Sequence, residues 1–431
     1  MRALRGAILV ILAAAAVSRA QSTAGLPWLS PAEQRVRAAK EAIQSNPQRY
    51  QAYNDLAFAL VSRGRETADL SYYDRAAEAV QESLHLSPNN FEALKAKVEV
   101  LLGERRWEEA REIARTLNSS IPDDVPVWGY LAQAASNSGD YDEAVRTTQW
   151  MLDLRRNNTR GLLQAADLRV AYGYLDAALD FYNQAYQQVP PVEVGQRAFI
   201  LTRMAAAEIS RGRLDSAQKW LDLAVAQFPG YYLSLETLAC LRSAQGRNDE
   251  AVDLWRRRNQ QEPTAESLYG LAQALDQAGR RDEAKIAYAE FERAAMGLVD
   301  RPANANRQLI LYEAEYPHNS REALRIARLE ATRRHDVFTL DAYAWALAAS
   351  GQYAEAKAQM EKALAIGTQD ATFFYHAGVI ASKLDDQSRA EVYFKQSLDL
   401  NPTSAVAKQA RQELGSIESR NLLQPVAAHG N

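Results

Sequence analysis

One alanine recurs at a nearly constant interval along most of this 431-residue chain. The steps between successive copies are 34, 34, 34, 39, 34, 33, 39, 33 and 34 residues. A period between about 20 and 50 residues is typical of a solenoid, in which each unit packs on its neighbours. The ten alanines are Ala76, Ala110, Ala144, Ala178, Ala217, Ala251, Ala284, Ala323, Ala356 and Ala390. The interval therefore predicts an elongated array of similar units.

Further columns keep the same register. Gly stands five residues before the alanine in six repeats, and Pro stands twelve residues after it in six. A Gly after a helical run supplies the left-handed C-cap of a first helix, and Pro marks the end of a second. Alternating runs of β-branched residues are missing, so strands are not expected. The glycines are Gly139, Gly173, Gly212, Gly246, Gly279 and Gly351.

The segment 125–145 shows the whole pattern in one piece. It resembles the tetratricopeptide repeat, with Trp128, Leu131, Ala132, Tyr141 and Ala144 where that family expects them. The resemblance implies an all-α, right-handed superhelical solenoid of about ten helix-turn-helix pairs over residues 47–402. Residues 21–46 are interpreted as a linker and a leading helix that ends near residue 45. Residues 403–431 are interpreted as a capping helix from about 404 to 419 and a loose tail.

Three segments depart from the regular period. The two 39-residue steps place five extra residues near 190–197 and 296–307, and the segment 65–72 lengthens the first hairpin. One interpretation is that these segments bend the superhelix or form contact loops. The alternative is that they are simply tolerated, because added loop length costs little entropy.

The first twenty residues carry a different signal. Arg2 and Arg5 precede an apolar run over 6–17, and Ser18-Arg19-Ala20 offers small residues at the −3 and −1 positions. This pattern predicts a signal peptide cleaved before Gln21, and the run is shorter than the roughly 20 residues that span a bilayer. We therefore expect an exported protein, periplasmic or extracellular, without a stable membrane span after cleavage. Tethering by an uncleaved signal anchor is the alternative.

Signatures of enzymes, cofactor sites and metal sites are missing from the sequence. None of the five histidines belongs to an H-E-x-x-H motif, and Cys240 is the only cysteine. The nearest polar constellation is Asp341 with Tyr375 and His376, on the first helices of adjacent repeats. The sequence therefore predicts no catalytic residue, no cofactor and no metal, and a packed or groove-lining role for Cys240.

Charge argues against a nucleic-acid partner. The formal net charge is −4, and no basic stripe recurs at the repeat period. The basic runs 256–258, 280–281 and 333–334 are expected on the outer, solvated surface. A protein or peptide partner is therefore the expected class.

The family resemblance implies that the first helix of each pair lines a concave groove. In the C-terminal half the groove positions include aromatic and acidic residues, which interfaces use as anchors and charge partners. The Lys, Asn and Arg set that clamps an acidic peptide terminus in that family is absent. These observations suggest an apolar or aromatic partner segment, with basic character as a further option. The candidate groove residues are Tyr269, Gln273, Asp276, Asp341, Trp345 and Tyr375.

Two interpretations of these aromatic residues stay open, since Trp345 and Tyr375 could instead pack against the next helix. The function that the sequence favours is an exported adaptor or scaffold for protein–protein interactions. An accessory or regulatory subunit of an envelope enzyme, acting on polysaccharide or lipid, is the alternative. An enzyme in its own right is the third.

Overall fold

A computed structural model describes residues 29–315 and 319–423, with side chains up to residue 419. The predicted signal peptide and the last eight residues lie outside the described residues. The described part contains 22 helices and no strand, which confirms the all-α solenoid. A leading helix, α1 (Pro31–Ser45), precedes ten helix pairs, and α22 (Ala407–Leu423) follows them. This last helix begins three residues later than the sequence suggests.

Each pair, called a repeat below and numbered one to ten, joins a first and a second helix by a short turn. The first helices are α2 (Tyr50–Thr67), α4 (Phe91–Gly103), α6 (Val125–Ser138), α8 (Thr159–Ala171), α10 (Val194–Ser210), α12 (Tyr232–Ala244), α14 (Ala265–Gln277), α16 (Asn306–Glu315), α18 (Val337–Ala349) and α20 (Ala371–Lys383). The second helices are α3 (Ser71–Leu86), α5 (Trp107–Ser120), α7 (Tyr141–Leu154), α9 (Leu175–Gln188), α11 (Leu214–Gln227), α13 (Asn248–Asn259), α15 (Arg281–Met296), α17 (Ser320–Ala331), α19 (Tyr353–Leu364) and α21 (Gln387–Leu400).

The alanine ladder forms the contact between paired helices. Nine of its ten members are completely buried, and the tenth, Ala284, is 3% exposed. Opposite the ladder stand small residues such as Ala132 and Gly378. A Cβ at Gly378 would lie 2.6 Å from Cε1 of Phe394, so a side chain there would force the helices apart. The ladder thus fixes how closely each pair packs.

The chain also returns onto itself. The amide of His335, just before α18, donates a 2.9 Å hydrogen bond to the carbonyl of Ser138 at the end of α6. The hydroxyl of Tyr141 accepts a 3.2 Å hydrogen bond from the amide of Val337, 196 residues away in sequence. The turn of the third repeat therefore touches the start of the ninth.

The same spacing recurs along the molecule. Gly173 in the turn of the fourth repeat lies against Gln369, which precedes the first helix of the tenth. Asn401, before α22, donates a 3.1 Å bond from Nδ2 to the carbonyl of Ile209 in the fifth. Each contact joins elements six repeats apart, so the second turn of the superhelix rests on the first. We call this line of contacts the seam.

The three irregular segments extend the seam with contacts between elements four to six repeats apart. Glu193, in the first five-residue insertion, forms a 2.9 Å ion pair with Arg35 of α1. Asn304, in the second, accepts a 2.7 Å hydrogen bond from Arg105 in the turn of the second repeat. Glu66, in the lengthened first hairpin, lies beside Gly195. The extra residues therefore form contact loops between successive turns, the first of the two interpretations above.

The seam contains an apolar core as well as polar contacts. Tyr141 and Leu168, from the third and fourth repeats, belong to one buried cluster with Val337, Leu340 and Leu347 from the ninth. Burial of such side chains stabilises by about 25 cal/mol per Å² of apolar surface. The seam therefore includes a buried apolar contact where the third and fourth repeats meet the ninth.

The basic runs are not all on a solvated surface, contrary to expectation. Arg258 is 0% exposed, and its Nε donates a 2.7 Å hydrogen bond to Glu236. Arg333 donates to the carbonyls of Val299 and Asp300, both at 2.9 Å, and so supports the second inserted loop. Buried guanidinium groups need such partners, because an unpaired charge in the interior is costly.

Of the helices in residues 29–315 and 319–423, none is both long and apolar enough to cross a membrane.

Candidate functional site

Five side chains from three first helices form one cluster on the inner side of the second superhelical turn. They are Glu315 at the end of α16, Asp341 and Trp345 on α18, and Tyr375 and His376 on α20. We call this group the acidic-aromatic cluster. It brings together three of the six residues that the sequence suggests and adds Glu315 and His376.

A buried hydrogen-bonded pair lies at the base of the cluster. Oδ1 of Asp341 lies 2.8 Å from Nδ1 of His376, and the two residues are 0% and 2% exposed. The second carboxylate oxygen of Asp341 is buried without a hydrogen-bond partner. An unsatisfied buried carboxylate oxygen costs free energy, so a donor that reached this oxygen would stabilise the cluster.

Trp345 covers this pair. Its ring stacks on that of His376 with centroids 4.1 Å apart and planes 18° apart, and its Nε1 donates a 3.0 Å hydrogen bond to Glu315. Burial raises the pKa of Glu315, an effect that the neighbouring His376 partly offsets. Trp345 itself is only half-buried, so one part of the indole is exposed.

Tyr375 extends the aromatic surface. Its ring centroid is 6.2 Å from that of Trp345 and 6.0 Å from that of Phe394, and the residue is half-buried. Burial, together with the charge of Glu413 on α22, raises the pKa of Tyr375 to about 12. Each ring thus packs on a neighbouring helix, as one sequence interpretation expects, and each also stays partly exposed.

The other three candidates lie two repeats earlier, on α14. The expected exposure of Tyr269 is not found: it is 7% exposed and packs on Tyr288 and Phe291 in the core. Gln273 is half-buried and Asp276 is exposed. Tyr269 thus lies in the core between the two helices of its own repeat, because Tyr288 and Phe291 belong to the second helix α15.

Sequence reasoning missed Glu315. It occupies the final position of α16, the shortest of the first helices, next to the second insertion in the chain. No repeat column marks that position, so its contact with Trp345 depends on how the eighth and ninth repeats stack.

A second polar cluster lies in the first superhelical turn. Glu99 is 6% exposed and accepts hydrogen bonds from Tyr130 at 2.8 Å and Arg160 at 3.0 Å. Arg65 forms a 3.1 Å ion pair with its other oxygen. Burial opposes ionisation of this carboxyl, but the charges of Arg65 and Arg160 outweigh it and lower the pKa of Glu99 to about 2. These contacts tie the first four repeats together.

Cys240 on α12 is the cysteine whose surroundings can be compared with the groove-lining role that the sequence suggests. Its side chain is exposed, yet surrounding protein desolvates the thiol and, with the charge of Glu236, raises its pKa to about 11. A group that contacts water while protein surrounds it fits a position on the concave side of the array. A thiol with a raised pKa is a poor nucleophile at neutral pH.

The chemistry of the acidic-aromatic cluster suits binding. Two carboxylates accompany one imidazole, and aromatic faces attract cations by about 0.5–2 kcal/mol. The stacked indole of Trp345 covers the Asp341–His376 pair, so a bound molecule meets the aromatic surface first. Within the described part of the chain, no group of three or more His, Cys, Asp or Glu side chains could hold a metal.

Comparison with protein families gives matches to the tetratricopeptide repeat. One family model matches residues 72–135, and a second model of the same description matches residues 265–293 and 371–404. These segments begin at α3, α14 and α20 and lie inside the array of helix pairs. Comparison with curated protein sequences finds no match.

Several solved structures are similar to parts of the chain. A tetratricopeptide repeat protein from Parabacteroides merdae shares 18% identity and a TM-score of 0.38, covering 60% of this chain and 98% of its own. The human IFIT1 dimer with PPP-AAAA shares 12% identity and a TM-score of 0.49, covering 86% and 95%. Naa15/Naa10 bound to HypK-THB shares 16% identity and a TM-score of 0.28, covering 90% and 64%.

Proposed function

We propose that this chain is a tetratricopeptide repeat scaffold for protein–protein interactions and that it binds a partner protein through the acidic-aromatic cluster. The matches of family models to residues 72–135, 265–293 and 371–404 support the first part of this proposal. The partner contributes a segment that carries a basic residue beside an aromatic or apolar one. The basic residue faces Glu315 and the aromatic rings, and the apolar residue packs on Trp345 and Tyr375.

The observation that carries this proposal is the pairing of half-exposed aromatic rings with excess acid. Trp345 and Tyr375 lie 6.2 Å apart, and Glu315 hydrogen-bonds to the Trp345 indole. Aromatic residues dominate the energetics of protein interfaces, and a guanidinium or ammonium group gains from both the rings and the carboxylates. Because acidic side chains and aromatic rings lie together in this cluster, it favours binding of a segment with basic and aromatic residues over binding of an acidic segment.

A peptide-binding experiment tests this. Short peptides of mixed sequence, either basic-aromatic or acidic-aromatic, are titrated calorimetrically into the full chain. We expect the basic-aromatic set to bind and the double variant Trp345→Ala with Tyr375→Ala to weaken binding about 30-fold, which is the effect of losing about 2 kcal/mol of aromatic contact. Trp150→Ala is the matched control, because Trp150 is 51% exposed on a second helix.

Preference for the acidic set, or equal binding by the double variant and wild type, would overturn the proposal. Recovery of one stoichiometric enzyme with the protein from envelope extract would instead indicate an accessory subunit.

Export belongs to the same proposal: the protein acts in the periplasm or outside the cell, has no catalytic activity of its own and binds no nucleic acid. The basic, apolar and small residues of segment 1–20 support export. Cell fractionation followed by N-terminal sequencing is the test. Mature protein that begins at Gln21 in the periplasmic or secreted fraction supports export, and full-length protein in the cytoplasm contradicts it.

A further inference from the structure

We propose that the seam controls access to the inner surface of the array: closed, it blocks entry between successive turns, and its opening admits a partner from the side. This inference rests on the proposed function only in placing the partner site on the inner surface. The seam and its opening are properties of the chain alone.

The seam can separate without unfolding any repeat. Each repeat buries its apolar face against its sequence neighbours, and a solenoid is held by those nearest-neighbour contacts. The hydrogen bond between His335 and Ser138 joins elements six repeats apart, as does that between Asn401 and Ile209. Losing them widens the superhelix and leaves the ladder in place.

Several seam contacts are weak individually. The Arg35–Glu193 pair has side chains 47% and 34% exposed, and the Arg105–Glu266 pair 38% and 35%. Ion pairs exposed to this degree contribute little net stability, because water and salt screen them. The polar contacts of the seam are therefore the first to break, and the seam opens fully only when the apolar part near α18 separates as well.

Helix α18 links the seam to the acidic-aromatic cluster. Leu340 belongs to the seam core, and the next residue, Asp341, belongs to the cluster. Ala344 and Trp345 repeat this arrangement one turn later. A displacement of α18 at the seam therefore changes the position of Trp345 against Tyr375.

The glycine column offers variants with matched controls. A Cβ at Gly139 would lie 2.4 Å from the carbonyl carbon of His335, and one at Gly173 would lie 2.3 Å from Cγ of Gln369. Gly279 and Gly351 occupy the same column with φ of +74° and +75°, and neither has an atom within 4 Å of such a Cβ. Alanine therefore strains the backbone in all of them and obstructs the seam only in the first two.

Cys240 serves as the native reporter, since it is the only cysteine. The full chain is labelled with N-ethylmaleimide and, separately, with a maleimide carrying a long polyethylene glycol chain, at the same pH. The ratio of the two rates cancels the reactivity of the thiol and leaves its accessibility to a large reagent. X-ray scattering measures the radius of gyration in parallel.

We expect Gly139→Ala with Gly173→Ala to raise the relative rate of the large reagent about tenfold and to increase the radius of gyration. A tenfold rise corresponds to about 1.4 kcal/mol of seam free energy when opening is fast. Gly279→Ala with Gly351→Ala is expected to change neither. Arg105→Ala, which removes only partly exposed contacts, gives a smaller rise and covers the case in which the double glycine variant does not fold.

Equal relative rates in the seam and control variants would overturn the inference. So would wild-type Cys240 that reacts with the large reagent as fast as with the small one. Because labelling needs no partner, failure of the peptide titration would reject the proposed function and leave this result standing.

Discussion

The clearest quantitative prediction compares Gly139→Ala with Gly351→Ala. Both residues end a first helix with positive φ, +93° and +75°, so both substitutions incur the left-handed penalty of about 1–2 kcal/mol. Only at Gly139 does the new methyl meet backbone, with the carbonyl oxygen of His335 at 2.5 Å and the amide of Asp336 at 2.6 Å. The difference between the free energies of unfolding of the two variants therefore measures the contribution of the seam contacts at Gly139.

The extra cost follows from the contacts that must move. Separation of backbone at Gly139 breaks the hydrogen bond between Ser138 and His335 and loosens that between Tyr141 and Val337. A net hydrogen bond contributes about 1 kcal/mol, so we expect Gly139→Ala to destabilise by about 2 kcal/mol more than Gly351→Ala.

Urea unfolding followed by circular dichroism measures this difference through the midpoint shift at equal slope. Gly246→Ala and Gly279→Ala serve as additional controls, because nothing lies within 4 Å of their added Cβ atoms. A Gly139→Ala midpoint equal to the control mean would refute the reasoning, since the seam would then contribute nothing to stability.

Three further predictions concern titratable side chains: Asp341 with His376, Glu99 and Cys240. His376→Ala leaves Oδ1 of the buried Asp341 without its hydrogen-bond partner, so we expect a loss of about 1–3 kcal/mol in the free energy of unfolding. Adding Asp341→Ala should recover part of this loss in a double-mutant cycle, and additive losses would contradict the pairing. Because the pKa of Glu99 is lowered from 4.5 to about 2, its ionisation stabilises the fold above about pH 4.5, and this stability is lost as the pH falls from 4.5 through 2. Glu99→Gln should remove this pH dependence, which amounts to about 3 kcal/mol in the free energy of unfolding. Urea unfolding at a series of pH values measures it, and a profile that the substitution leaves unchanged would contradict the prediction. With a thiol pKa of about 11, labelling of Cys240 by N-ethylmaleimide should rise about tenfold per pH unit between pH 8 and 10, whereas a plateau near pH 9 would indicate an unshifted thiol.

The repeated helices follow from sequence because their determinants are local. A glycine such as Gly246 ends its helix by its own backbone freedom, and Ala251 five residues later fills a contact inside the same pair. Such signals lie within one period of the chain. The ladder therefore predicts the number and order of the helix pairs.

The seam could not be predicted in the same way, because its hydrogen bonds and ion pairs join residues between 158 and 199 positions apart. Glu193 and Asn304 stand in segments whose extra length is visible in the sequence, but length alone does not reveal the facing residue. Exposure at the groove positions could not be predicted from the sequence either. Tyr269 and Tyr375 occupy the same repeat column, yet packing with Tyr288 and Phe291 of α15 buries the first, and the second stays half-exposed.

The six-repeat interval of the seam has a consequence for how this array can change in length. Solenoids commonly gain or lose internal units, since each contacts only its neighbours. Here, removal of the sixth repeat would bring the turn at Gly139 opposite the start of the tenth repeat instead of the ninth, and every later contact would shift by one unit. Loss of the final helix α22 would leave these contacts in place, since even Asn401, which binds Ile209, precedes that helix. The interior of this molecule therefore behaves as an indivisible unit with a fixed repeat number, and only its ends are free to lengthen or shorten.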